Sequence, residues 1–547
     1  MKIIKTISVL FLFILASPLV EAQNLDKTID AILSEKYKSD QPGATALIAK
    51  DGKVIYRNAF GMANLELGVP MKPENVFEIG SITKQFTAVS ILMLQEQGKL
   101  KVTDPLSKYM ADYPEQGKNV SIHQLLNHTS GIKSYTSMPS FMSRAREDMT
   151  PIELIDVFKN EPMDFEPGSE YAYNNSAYII LGHIIEVVSG KSYAEFIEEN
   201  IFDKLGMKNS YYGSHSKIIK NRAYGYQPID GGYRNADYLS LTLPYAAGSI
   251  MSCVDDLLLW SQAIHNNTLI GEKSKKLAFT EGKTTQGSRI YYGYGWSIDE
   301  INGTPTIEHG GGIFGYTTYG VYVPSENLYA IVLTNTNGNN PTDVTVEIAS
   351  HALGKPYKSV AKTSVSEKEM KQWVGAYSFD NDVNRFITFK NGTLYSQREG
   401  SEDLPLLALG NNEFQFEGSF TKYLFAKENG KRVANFQSRI RNGKGMESDL
   451  ALLAEKKAIS LGASTLKNYE GVYELQPGFE VTVTASGDQL FAQPTGQPKA
   501  ELFPESTTTF FLKVIQAEVV FTLNANGVAE GLTLHQGAQI MPGKKKS

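Results

Sequence analysis

Gly375 and Gly471 stand 96 positions apart, and the same offset separates Tyr377 from Tyr473, Leu394 from Leu490, Tyr395 from Phe491, Gln397 from Gln493, Phe414 from Phe510 and Phe425 from Phe521. Like residues repeated at one unbroken offset mark a duplication, so whatever one copy folds into the other must fold into as well. A period this long makes each copy a domain, not one turn of a solenoid. Short alternating runs broken by Gly, Asn and Asp give each copy enough strands for a small antiparallel barrel. Residues 370–456 and 466–543 are therefore read as two all-β, barrel-like repeats.

The chain ahead of them has a different texture. Ala44 to Ala49 and Val54 to Arg57 flank Asp51-Gly52, the signature of an antiparallel hairpin with a tight turn. Tyr316 to Val323 and Tyr329 to Asn335 form a second strand pair, followed by a helical stretch from Thr342 to Leu353. Between the pairs lie helices and loops. Strands at both ends with helices between predict one antiparallel sheet built from the two termini and flanked by helices, an α/β (α+β) domain over residues 24–355. Residues 356–369 are polar and read as a linker. Residues 205 to 245 are loop-rich and hold seven tyrosines, suited to lining a cleft or to packing under long loops.

Lys2 and Lys5 precede an apolar run from Ile7 to Ala16, and Val20-Glu21-Ala22 offers a small-residue cleavage site. This reads as a signal peptide over residues 1–22, too short to span a membrane, and places the mature chain in the periplasm or outside the cell. No later stretch is apolar and long enough to span. The single cysteine, Cys253, leaves no internal disulfide and reads as core packing. Net charge is −6 with no basic stripe, which argues against nucleic acid as a partner. There is no His-x-x-x-His pair and no cysteine cluster, so neither metal nor cofactor is expected. The absence of G-x-S-x-G removes the α/β-hydrolase elbow.

Ser81-Ile82-Thr83-Lys84 follows Gly80 at the head of a long apolar helix. A serine hydroxyl needs a base within hydrogen-bond reach, and i, i+3 residues share a helix face, so Lys84 can take the proton of Ser81. The positive end of the helix disfavours an ammonium there, and the amide of Ser81 can meet a developing oxyanion. The spacing alone is weak, since Ser130/Lys133, Ser214/Lys217 and others share it. Its place in an ordered set singles it out: Leu125-Leu126-Asn127-His128-Thr129-Ser130-Gly131 comes next, then Tyr173-Asn174-Asn175, then His309-Gly310-Gly311-Gly312 ahead of the second strand pair.

This ordered set resembles the serine β-lactamase and penicillin-binding protein superfamily, nearest its class C β-lactamase, esterase and D-aminopeptidase branch (peptidase S12-like). The resemblance implies Ser81 as acylated nucleophile and Lys84 as its base. It implies Tyr173 as a phenol either depressed toward phenolate by Lys84 or relaying a proton to the leaving group. Asn175 would donate to the substrate carbonyl, and the amides of Ser81 and Gly312 would form the oxyanion hole. Gly310, Gly311 and Gly312 would let a strand edge lie against substrate, with His309 beside it. His128 would be a satisfied structural histidine fixing a turn behind the cleft.

Histidine at 309 departs from the lysine usual in the β-lactamases and carboxypeptidases of the superfamily, a cation that anchors a substrate carboxylate. Histidine is largely neutral at pH 7. Esterases and D-aminopeptidases of the branch carry histidine, and D-aminopeptidases share the layout of a catalytic domain followed by two lipocalin-like β-barrels. The resemblance therefore implies an exported serine hydrolase of small peptides or amides, D-residues among them, with carboxylesterase action as the alternative. β-Lactamase or carboxypeptidase action, and a non-catalytic sensor on the same fold, stand behind both.

Overall fold

The computed structural model describes residues 25–546 apart from 339, 358–361, 380–382, 400, 453–455, 477, 498, 514–516 and 537–538. The expected signal peptide, residues 1–22, lies outside the described residues. Of these, the ones within 1–137 and 145–358 form one compact unit, and the ones within 138–144 and 359–547 form a second. Met138–Arg144, inside the expected span 24–355, groups with the second unit. No helix among the described residues is long and apolar enough to cross a membrane.

The first unit is organised by a six-stranded sheet. Its strands are β1 (Ala44–Lys50), β2 (Lys53–Phe60), β3 (Ser297–Ile301), β4 (Thr304–Ile313), β5 (Tyr316–Val323) and β6 (Leu328–Thr334), in the order β3-β4-β5-β6-β1-β2. All neighbours are antiparallel, with Ala44 opposite Thr334 on one side and Phe60 on the other. The β1–β2 turn uses Asp51 at φ 51° and Gly52 at φ 73°, the paired left-handed conformation of a two-residue hairpin. Strands β1 and β6 are almost wholly buried, and their continuous apolar runs match burial on both faces.

The helices that matter here are α1 (residues 25–36), α2 (Thr83–Glu96), α3 (Asn175–Ser189), α4 (Val254–His265) and α5 (Thr342–Ala352). Helix α2 is buried from Thr83 to Leu94, all the way round, as expected of a helix whose every face is apolar or internally bonded. Phe86 stacks on Trp260 of α4 with ring centroids 3.9 Å apart. α2 packs against α3, α4 against β1 and β6, and α5 against β5 and β6. Cys253 is buried with Val76, Ile219 and Met251, in the packing role its sequence suggested.

The second unit holds two closed eight-stranded antiparallel barrels. The first comprises β7 (Gly375–Phe379), β8 (Asn384–Lys390), β9 (Thr393–Arg398), β10 (Asp403–Gly410), β11 (Glu413–Phe416), β12 (Lys422–Glu428), β13 (Lys431–Gln437) and β14 (Asn442–Ser448). The second comprises β15 (Gly471–Gln476), β16 (Phe479–Ser486), β17 (Gln489–Pro494), β18 (Ala500–Pro504), β19 (Thr509–Phe511), β20 (Ala517–Leu523), β21 (Ala529–Gln536) and β22 (Gln539–Lys545). Gly375 and Gly471 open the first strand of each. Tyr377 and Tyr473 are both fully buried and donate to the carbonyls of Trp373 and Tyr469, at 2.8 and 2.7 Å. Alternation sets the interior: on β16, Phe479, Val481 and Val483 are buried while Glu480, Thr482 and Thr484 are not. The expected linker carries structure at its end. Ser366 caps a short helix over Glu367–Lys371 in a capping box with Glu369, and the amide of Thr363 donates to Ala408 of β10.

Candidate active site

Ser81 sits in a single 3-10 turn, Gly80–Ile82, that runs straight into α2. Lys84, one turn on, is fully buried. Its Nζ lies 3.1 Å from Ser81 Oγ, 2.8 Å from Asn175 Oδ1 and 2.9 Å from the carbonyl oxygen of Ala247. The last two can only accept, so they take two N–H bonds. On a neutral amine the third direction is then a lone pair, aimed at the serine hydroxyl. Burial pushes the Lys84 amine well below its ordinary range. The helix terminus predicted the same direction, but desolvation is the cause.

Tyr173 and Asn175 arrive from the segment that starts α3. Asn174, not Asn175, is the N-cap: its side chain accepts from the amide of Ala177 at 2.9 Å and donates to the carbonyl of Ile132. That leaves Asn175, the first helical residue, with its amide oxygen on Lys84 and its NH2 donating to Thr136 Oγ1 at 2.9 Å. One N–H of Asn175 stays available. Tyr173 is 41 % exposed as a residue, while its hydroxyl end is enclosed beside Ser81. Lys84 Nζ lies 4.8 Å from the ring centroid. Of the two alternatives for Tyr173, the drift toward phenolate is disfavoured, because desolvation at the hydroxyl raises its pKa and outweighs the influence of Ser81. Tyr173 is held as a phenol.

The glycines of β4 have separate tasks. At Gly311 a β-carbon would collide with the carbonyl of Ile79, lying 2.9 Å from its carbon and nearer still to its oxygen. Gly80, at φ 52°, would bring its own β-carbon to 2.9 Å from the amide of Gly312. The Gly80–Ser81 turn and the Gly311–Gly312 strand thus touch backbone to backbone, which no side chain permits. Gly312 has open space where its β-carbon would be, and Gly310 is covered by the ring of Tyr319. No acidic residue lies in the first turn of α2, so nothing there opposes its dipole.

His309 is only 5 % exposed and both ring nitrogens are engaged. Nδ1 lies 2.5 Å from the carbonyl of Gly310, which must accept, so Nε2 accepts from the hydroxyl of Tyr292 at 2.8 Å. Burial is the main cause that pulls its pKa down to about 4. The neutrality read from sequence agrees with this. Neither nitrogen is spare, and His309 locks β4 to Tyr292. His128 is fully buried and kept neutral by burial. Its Nδ1 accepts from the amide of Asn174 at 3.1 Å, and its ring lies 4.4 Å from that of Tyr173. It holds the turn behind Tyr173, and its Nε2 has no hydrogen-bond partner among the described residues.

Sequence reasoning missed Tyr292, Thr136 and the carbonyl of Ala247. It also missed the ion pair of Arg222 with Glu78, 2.7 Å apart, where burial pushes the Glu78 carboxyl up to about 7. These two, with Tyr224, Tyr238 and Phe314, line a cavity of about 330 Å³. Among the described residues no group of His, Cys, Asp and Glu could hold a metal ion.

The beta-lactamase family profile matches residues 25–355, the whole first unit's sheet and the four motifs with it. The chain belongs to the beta-lactamase family. A domain of unknown function (DUF3471) matches residues 455–545, which contain the second barrel. Penicillin-binding protein 4* of Bacillus subtilis (strain 168) is 26 % identical over 534 residues, 94 % of this chain and 98 % of its own length. D-Aminopeptidase of Gluconobacter oxydans (strain 621H) is 25 % identical over 333 residues, 59 % of this chain and 61 % of its own. The octameric penicillin-binding protein homologue from Pyrococcus abyssi superimposes with a TM-score of 0.56 at 26 % identity, covering 77 % of this chain and 99 % of that one.

Proposed function

We propose that this protein is an exported serine hydrolase that opens amide or peptide bonds, D-amino-acid substrates among them, through an acyl-enzyme on Ser81. The observation that carries the reading is the setting of Lys84: a buried amine with two N–H bonds committed to Asn175 and Ala247 and its third direction on Ser81 Oγ. Ser81 Oγ attacks the substrate carbonyl and gives its proton to Lys84 Nζ. The charge formed on the carbonyl oxygen is met by the amides of Ser81 and Gly312. As the carbon–nitrogen bond breaks, the leaving nitrogen takes a proton from Tyr173, which recovers one from Lys84. Water then attacks the ester, and the same groups run in reverse to free Ser81. A protonated Tyr173 suits this, because an amide leaves only after its nitrogen is protonated.

The neutral, engaged His309 supports substrates without a carboxylate at that end, and hence amides in preference to penicillins or terminal D-alanine. Relatives named penicillin-binding protein and D-aminopeptidase support the same chemistry. A carboxylesterase would use the same residues with no demand on Tyr173, so the ratio of amide to ester turnover in Tyr173→Phe separates the two. The first test is kcat/KM on D-alanine p-nitroanilide and its L-isomer, with Ser81→Ala as blank. Turnover with D-preference that vanishes in the blank is expected. Failure of Ser81 to label with a fluorophosphonate defeats the acyl-enzyme reading.

A further inference from the structure

The two barrels share strand order but not filling. In the first, Tyr423 on β12 faces Phe436 on β13, with ring centroids 5.5 Å apart. Phe416 lies 5.6 Å from Tyr423, Ser396 Oγ is 2.8 Å from the Tyr423 hydroxyl, and the Arg385 guanidinium sits 4.5 Å over Phe436. This end of the interior is plugged by aromatic rings and a guanidinium.

In the second barrel the register sets Val519 opposite Leu534 where Tyr423 and Phe436 stand. The repeat offset puts Leu512, Ala492 and Val481 in place of Phe416, Ser396 and Arg385. All five replacements are smaller, and none is polar. The space they release is open: with Phe479 they line a cavity of about 150 Å³ inside the barrel. Interiors ordinarily close such gaps, and an eight-stranded barrel is just wide enough either to fill itself or to hold one small ligand. One sequence has taken the first course in one copy and the second in the other. The polar side chains at this cavity are Gln497, half-buried, and Gln536, exposed, which places them toward its mouth. No charged side chain among the described residues lines it, so a charged ligand buried there would go uncompensated.

We propose that the second barrel is a binding site for a small neutral apolar ligand, a single aromatic ring or a short aliphatic chain, with one hydrogen-bonding group turned to Gln497 and Gln536. A dry apolar cavity of about 150 Å³ takes a benzene-sized guest. The site is independent of the reaction at Ser81.

The test titrates the full chain with 4-fluorobenzyl alcohol, observed by fluorine NMR. Saturable binding is expected with a Kd below about 1 mM, the affinity a ligand of this size can reach. The variant Val519→Tyr with Leu534→Phe, carrying the first barrel's residues, is expected to bind at least tenfold more weakly while fluorophosphonate labelling of Ser81 is unchanged. Leu534→Phe alone serves if the double variant does not fold. No saturable binding to the unmutated chain overturns the proposal. So does equal binding to a folded, filled variant, which would put the probe elsewhere.

Discussion

Adjacent glycines of β4 should respond oppositely to one methyl group. In Gly311→Ala the new β-carbon starts 2.9 Å from the carbonyl carbon of Ile79, where carbon contacts settle at about 3.5–4.0 Å. The obstacle is backbone and cannot swing away, so the strand must retreat from the Gly80–Ser81 turn by at least about 1 Å, the nearer carbonyl oxygen of Ile79 setting the limit. Overpacking of this kind costs about 1–3 kcal/mol of stability, and a displacement near 1 Å between reacting groups costs about 100-fold in rate. Gly312→Ala meets open space and keeps its amide, so stability should hold within about 0.5 kcal/mol. The assays are kcat/KM on a p-nitrophenyl ester, the rate of Ser81 labelling by a fluorophosphonate, and the urea midpoint of each variant. A folded Gly311→Ala that labels within threefold of the unmutated rate would refute the claim that this backbone contact positions the nucleophile.

Lys84→Arg puts a permanent cation that cannot deprotonate in place of the amine; it should lose at least about 10³-fold of kcat, and near-normal turnover would remove Lys84 as the base. Tyr292→Phe leaves Nε2 of His309 buried without a donor and should cost about 1–3 kcal/mol in denaturant unfolding; a change under 0.5 kcal/mol would show that the bond is idle. Stability should also carry a signature of pH. His309 and His128 have folded pKa values below the unfolded value, so the native state binds fewer protons and their contribution is lost as pH falls below about 6.5. Glu78, raised to about 7, works the other way, contributing most below its unfolded pKa and losing that as pH rises through 7. Glu78→Gln should therefore steepen the fall of the urea midpoint between pH 7 and pH 4. A flatter curve would contradict this.

The candidate site was legible because Ser81, Lys84, Tyr173, Asn175 and His309 carry distinctive side chains in a fixed order. What escaped notice lacked such marks. The acceptor from Ala247 is a carbonyl, which every residue has. Tyr292 stands among other tyrosines, and Thr136 in a stretch of small polar residues. The phenolate alternative for Tyr173 and the placing of His309 beside substrate share a weakness. Both rested on charge or proximity, whereas enclosure decided the protonation of one and the accessibility of the other. Duplication foretold both barrels, but not that the pairing of β20 with β21 slips by two residues relative to β12 with β13. A β-bulge at Thr522/Leu523 leaves no trace in composition.

The central sheet also dictates an order of events during synthesis. Strand β1 is among the first elements made, yet one of its two partners is β6, and Ala44 waits for Thr334. Until β6 has been translated, the hairpin presents an apolar edge with no ladder to complete. Contacts this distant in sequence form slowly, and the helix bearing Ser81 belongs to the segment that must be held in reserve meanwhile. A fragment ending before Leu328 should accordingly fail to fold, however complete its set of Ser81, Lys84, Tyr173, Asn175 and His309. Ser81 is thus among the early residues made, while the strands that complete its sheet are among the last of the unit.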